Sequence, residues 1–141
     1  MPVRNSSAQW KGDLAHGSGT MTLASKAYSG PYSFTSRFEE GTGTNPEELI
    51  AAAHAGCFSM AFSHLLAEAG YTPTSVETTA SVHIDPADGG FAISRIALSA
   101  KATVPGIDNA QFEKIAETAK VNCSVSQALA AVDITLSAKL V

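Results

Sequence analysis

Three observations predict an α+β fold: short alternating runs split by turns in the N-terminal third, one long apolar helix with a defined start, and two long alternating runs joined by a turn. The expected order is βββ-α-ββ-αα-β, with antiparallel sheets and a single domain over residues 1–141. That length can bury a core without crosslinks. A first strand is read at residues 8–11, ended by Gly12-Asp13, and a second, weakly alternating one lies within 17–25. Residues 32–38 alternate cleanly, with Tyr32, Phe34 and Phe38 on one face and Ser33, Thr35 and Arg37 on the other. They read as a third strand between Gly30-Pro31 and Gly41-Thr42-Gly43.

The next element is a helix. Asn45 suits the N-cap and Pro46 the first helical position, and Glu47 and Glu48 are acids that the macrodipole favours in a first turn. It should run to Ala69 with Gly70 as its stop. That is about 24 residues, roughly 36 Å. Between residues 49 and 66 it is apolar on most of its circumference, so it is expected to pack against another element or its own copy in a partner subunit. His54, Ser59, Ser63 and His64 interrupt it, which argues against a membrane span. Residues 75–84 and 91–104 form two strands joined through Pro86-Ala87-Asp88-Gly89-Gly90, with Ile96, Leu98 and Val104 sharing a face. Asp108 caps a helix through Phe112, Ile115, Ala116 and Ala119. Asn122-Cys123-Ser124 breaks that helix, a short one follows through Gln127-Ala128-Leu129, and residues 133–141 alternate as the last strand.

Composition removes several function classes. The net charge is −4 and the nine Lys and Arg residues are scattered, so neither nucleic acid nor an anionic membrane surface is an expected partner. Met1 to Trp10 lack the apolar segment of a secretory signal, and the expected compartment is the cytoplasm. Cytoplasmic reductants disfavour a structural disulfide. The two cysteines, Cys57 and Cys123, stand 66 residues apart rather than in a CxxC. By context alone Cys57, mid-helix among Ala and Gly, reads more readily as core packing than as chemistry. Cys123, at the start of a helix with free N–H groups, is the stronger candidate for a reactive thiolate. His54, Cys57 and Cys123 would supply three metal ligands at most, and no CxxC or HExxH occurs, so neither a metal nor another cofactor is expected. His16 and His83 read as surface residues, and no Gly-x-Ser-x-Gly marks a serine nucleophile.

Two segments carry a resemblance. Asn45-Pro46-Glu47-Glu48-Leu49 followed by Ala51-Ala52-Ala53-His54-Ala55-Gly56-Cys57-Phe58-Ser59-Met60, and Val121-Asn122-Cys123-Ser124-Val125-Ser126 further on, resemble the OsmC/Ohr family, named for osmotically inducible protein C and organic hydroperoxide resistance protein. Ala8-x-Trp10-x-Gly12, Arg37-Phe38-Glu39 and Val104-Pro105-Gly106-Ile107-Asp108 extend the likeness over nearly the whole chain and favour the OsmC branch. The resemblance implies antiparallel sheets around long central helices in an intertwined homodimer. It also implies a thiol peroxidase that reduces organic hydroperoxides, and hydrogen peroxide more weakly. By matching position, Cys57 is the peroxidatic thiolate, Cys123 the resolving thiol, and Arg37 and Glu47 the pair that activates Cys57. A dithiol reductant, lipoyl-type or thioredoxin-like, would close the cycle. Ser124 departs from the family, where Pro often follows the resolving cysteine.

The chemistry fits those residue types. A free thiol has a pKa of about 8.5, so a guanidinium nearby raises the thiolate fraction and can stabilise the leaving oxygen. Glu47 could orient Arg37 through a bidentate pair. Cys123 would convert a Cys57 sulfenic acid to a disulfide before over-oxidation. An apolar pocket lined by Phe58, Met60 and partner residues would favour alkyl hydroperoxides. Glu47 and Cys57 are ten residues apart, about 15 Å along a helix axis, so a Glu47 that serves Cys57 is expected from the other subunit. The alternatives are a non-catalytic stress or ligand-binding protein, and a redox sensor using the same disulfide.

Overall fold

The structure is a computed structural model that describes residues 1–141. Its elements are β1 (Ser6–Lys11), β2 (Ser18–Leu23), β3 (Ser29–Tyr32), α1 (Phe34–Phe38), α2 (Pro46–Glu68), β4 (Ser75–Ala87), β5 (Gly90–Thr103), α3 (Asn109–Asn122), α4 (Ser124–Ala128) and β6 (Asp133–Leu140). The α+β class stands, and the order becomes βββ-αα-ββ-αα-β. The chain divides into two compact units, Met1–Leu49 and Ile50–Val141, with the division inside α2.

The first unit is an antiparallel meander, β1-β2-β3, followed by α1. Gly19 pairs with Trp10 on one side and Tyr32 on the other. A Cβ there would lie 2.4 Å from the Tyr32 ring and 2.7 Å from the Trp10 ring, so only glycine lets these rings meet across the middle strand. Their centroids are 5.3 Å apart.

The strand expected over residues 32–38 is a helix instead, after β3 ends at Tyr32. The alternation of aromatics was real, but local hydrogen bonding overrides it. Ser33 is an N-cap whose hydroxyl accepts from the Ser36 N–H at 3.2 Å, while the Ser36 hydroxyl accepts from the Ser33 N–H at 2.8 Å. This is a capping box built from two serines. The i,i+4 spacing then stacks Phe34 on Phe38, centroids 5.0 Å apart. Arg37 accordingly sits in the last turn of α1, not on a strand.

Helix α2 begins in the first unit and ends in the second as its caps require: Asn45 Oδ1 accepts from the Glu48 N–H at 2.8 Å, and Gly70 takes a positive φ of 95°. β4 and β5 pair antiparallel, through a tighter turn than expected: the strands extend to Ala87 and from Gly90, leaving Asp88-Gly89 at the tip. β6 corrects the expectation of purely antiparallel sheets, because it lies parallel to β5. The reason is the connection: a helical crossover through α3 and α4 returns the chain in the same direction. Phe58, Phe62 and Leu66 of α2, Ile96, Leu98, Ala100 and Ala102 of β5, and Phe112, Ala116 and Ala119 of α3 form the buried core. Each large side chain there contributes about 1.5–3 kcal/mol by leaving water. By length and composition alone α2 could cross a membrane, despite the polar interruptions that argued otherwise. Only 22% of its apolar window is buried within the chain, and Met60 is exposed.

Candidate active site

The two cysteines, distant in sequence, come together in the second unit. Cys57 is partly exposed on α2, and Cys123 is 1% exposed at the joint between α3 and α4. Both are free thiols, and Cys123 Sγ donates to Cys57 Sγ at 2.8 Å. Little motion separates this arrangement from a disulfide, whose sulfurs stand about 2.05 Å apart.

The two thiols are biased in opposite directions. Burial pushes Cys57 up, but the Cys123 thiol, the Ser124 hydroxyl and the backbone N–H groups of Val125 and Ser124 together hold it below the usual thiol value. Ser124 Oγ lies 3.5 Å from Cys57 Sγ. Burial and the hydrogen bond to Cys57 both push Cys123 up, and the Ser126 backbone and hydroxyl and the Val125 backbone only partly offset this. Of the two, Cys57 is the sulfur biased toward the thiolate and Cys123 the one biased to keep its proton. This reverses the ranking drawn from local context. The free N–H groups that open α4 favour negative charge, as expected, but they act on both sulfurs: those of Ser124 and Val125 on Cys57 across the fold, and those of Val125 and Ser126 on Cys123, where burial outweighs them. Cys123, the N-cap, receives no capping hydrogen bond.

Behind this pair stand two residues to which sequence reasoning assigned no such role. His54, one turn before Cys57 and 0% exposed, meets Ser126 Oγ through Nε2 at 2.7 Å. The one signal in the sequence is a histidine on an otherwise apolar helix, which reads there as a possible metal ligand.

The first unit holds the other predicted pair. Arg37 Nη2 donates to Glu47 Oε1 at 2.8 Å, and its Nε lies 3.2 Å from both carboxylate oxygens. Glu47 is 6% exposed, so its charge is held by the guanidinium rather than by water. Asn45 ties the two elements together, capping α2 through Oδ1 while its Nδ2 donates to Ser36 O at 2.9 Å. Ser36 Oγ donates in turn to Thr44 O at 2.7 Å. Beside Arg37 opens a cavity of about 230 Å³ lined by Trp10, Leu14, Tyr32, Phe34 and Phe38. The guanidinium lies 5.1 Å from the centre of the Phe38 ring. The apolar pocket was expected instead around Phe58 and Met60. Phe58 cannot line it, because it is 0% exposed and packs on Phe62 in the core.

Comparison with known proteins gives these geometries a family. Peroxiredoxin OsmC of Escherichia coli is 54% identical over 134 residues, covering 94% of this chain and 93% of its own. An organic hydroperoxide resistance protein of Xanthomonas axonopodis is 35% identical over 99 residues, covering 69% of this chain and 68% of its own. The crystal structure of an OsmC protein from Legionella pneumophila shares the fold, with a TM-score of 0.74 at 23% identity and 99% of each chain covered. The family model for OsmC-like protein matches residues 39–137, a span that contains Glu47, Cys57 and Cys123 and begins just after Arg37. The chain belongs to the OsmC-like protein family.

Proposed function

We propose that this chain is a cysteine-based peroxidase that reduces organic hydroperoxides, and hydrogen peroxide more weakly, with Cys57 as the nucleophile and Cys123 as the resolving thiol. The observation that carries the reading is the pair of free sulfurs 2.8 Å apart whose surroundings bias their proton affinities in opposite directions. Relatives named for organic hydroperoxide resistance support the substrate class.

The Cys57 thiolate attacks one oxygen of the hydroperoxide. The O–O bond breaks, Cys57 becomes a sulfenic acid, and the departing alkoxide takes a proton to leave as an alcohol. Cys123 then attacks the sulfenic sulfur. The S–S bond forms as the S–O bond breaks, and the Cys123 proton and the departing hydroxide leave as water. A dithiol of lipoyl or thioredoxin type, available in the cytoplasm, returns both thiols.

Arg37 and Glu47 act on the leaving oxygen in this reading. The guanidinium, oriented by its bidentate partner, supplies the positive charge that the alkoxide needs. Ten residues of one helix separate Glu47 from Cys57, further than a side chain reaches, so the pair serves the Cys57 of a partner subunit in a homodimer. An apolar α2 that one chain leaves largely uncovered supports such an interface.

Mixing reduced protein with an organic hydroperoxide and excess dithiol tests the reading. Many turnovers of peroxide are expected, none of them in Cys57→Ser. Loss of one equivalent or less by the wild-type protein would assign it to sensing or ligand binding instead.

A further inference from the structure

His54 is a buried titratable group that the two chemical steps above do not use. It is 0% exposed, its Nε2 meets Ser126 Oγ at 2.7 Å, and its Nδ1 has no partner. Ser126 is 5% exposed and stands three residues after Cys123, the N-cap of α4, a spacing that brings an N-cap side chain beside the third helical residue; its N–H and hydroxyl favour negative charge on the Cys123 sulfur. Cys123 in turn donates to Cys57. Four side chains from α2 and from the α3–α4 joint thus form one file: His54, Ser126, Cys123, Cys57.

The direction of the file follows from the orphaned nitrogen. Were the ring proton on Nδ1, a buried N–H would stand without an acceptor, which folded proteins almost never tolerate; a bare lone pair there is less unusual. The proton therefore sits on Nε2 and points at Ser126 Oγ. With its oxygen accepting from His54, the Ser126 hydroxyl proton is free to turn to Cys123. Burial holds His54 below its ordinary pKa, so the ring stays neutral and remains a single donor at this end.

We propose that His54 is a positioning residue for the resolving step: by donating to Ser126 it holds the Ser126 hydroxyl proton on Cys123 Sγ, stabilising the negative charge that this sulfur develops as it attacks Cys57. The proposal rests on the peroxidase reading for its step, though not for its geometry. It answers a difficulty in that reading. A resolving thiol that is buried and holds its proton is a poor nucleophile until something supports its charge, and a donor in a dry site acts strongly. The balance of the step is unchanged, since the chain only orients donors and the Cys123 proton still leaves with the hydroxide.

A single-turnover experiment separates the two chemical steps. Reduced protein is mixed with one equivalent of cumene hydroperoxide, quenched, alkylated and weighed intact, so that sulfenic acid and disulfide are followed apart. Ser126→Ala, which removes one oxygen, and His54→Phe are each expected to slow disulfide formation about tenfold while Cys57 oxidation stays within about threefold of wild type. The double variant should be no slower than either single one, and His54→Gln, which keeps an N–H, should recover most of the rate. Disulfide formation at the wild-type rate in Ser126→Ala would overturn the proposal, and so would an equal fall in both steps, which marks a packing role. Should the wild-type protein fail to reduce the hydroperoxide at all, the peroxidase reading falls alone. Diamide then drives the Cys57–Cys123 disulfide, and the same ranking of variants is expected.

Discussion

The Arg37–Glu47 pair and the Cys57–Cys123 pair hold their partners in opposite ways. Arg37 and Glu47 are ten residues apart, and the ties around them are local: the serine capping box of α1, the Asn45 cap of α2, and the bond from Asn45 to Ser36 O. Their attraction is charge on charge. Cys57 and Cys123 are 66 residues apart and meet only because α3 packs its Phe112, Ala116 and Ala119 into the same core as Phe58 and Phe62 of α2. Their attraction is a shared proton, unequally held. A locally built pair suits a fixed charge that must wait for substrate. A pair built by tertiary packing suits sulfurs that must change partners during a cycle. The difference shows why removing a residue from each should fail differently.

The largest expected effect is at the nucleophile. Cys57→Ser should reduce hydroperoxide consumption to the uncatalysed background, followed as peroxide loss in the presence of dithiol. Cys123→Ser should consume about one equivalent and stop, with an intact-mass gain of oxygens on Cys57 as the sulfenic acid is over-oxidised.

The next effect tests whether the two pairs belong to one site. Arg37→Ala should lower kcat/KM by about a hundredfold, as loss of an oxyanion-stabilising donor does. Alone, Arg37→Ala would keep only that small residue of activity and Cys57→Ser none. Subunits of the two variants, unfolded and refolded together, should regain roughly a quarter of wild-type activity if each site draws Arg37 from the partner, since half the dimers are mixed and each carries one complete site. No recovery would mean that Arg37 serves the Cys57 of its own chain.

Glu47→Gln keeps the shape and removes the charge. A fall of about tenfold in kcat/KM is expected, matching the loss of a charge-assisted bond that orients Arg37. The rate at which a thiol reagent alkylates Cys57 in the absence of peroxide should hardly move if Glu47 acts only on the leaving oxygen.

The smallest effect belongs to Ser124. Its hydroxyl is one of the groups that hold Cys57 below the usual thiol value, so Ser124→Ala should raise that pKa. Alkylation of Cys57 rises with pH as the thiolate forms. In the variant the rise should move to higher pH, and the rate at neutral pH should fall about threefold, the scale of one weak hydrogen bond. An unshifted profile would leave the α4 backbone N–H groups and the Cys123 thiol as the donors that matter.

Much of this was legible in the chain itself. The start and stop of α2, the Asp108 cap of α3, the β4–β5 hairpin and the buried face of β5 all follow from capping residues and periodicity, signals confined to a few neighbouring positions. Two misreadings have the same origin. Residues 33–38 alternate like a strand, but a capping box decides their backbone, and β6 carries strand periodicity without saying which way it will pair. Motif and resemblance named Arg37, Glu47, Cys57 and Cys123 as site residues. Only the tertiary structure decided which sulfur is biased toward the thiolate. Local context placed the better thiolate at Cys123 because a helix begins there, yet those N–H groups also reach a sulfur from another helix, and Cys123 is sealed into the core, where burial outweighs them. Proton affinity depends on burial and on hydrogen-bond partners in space, and sequence neighbours report neither.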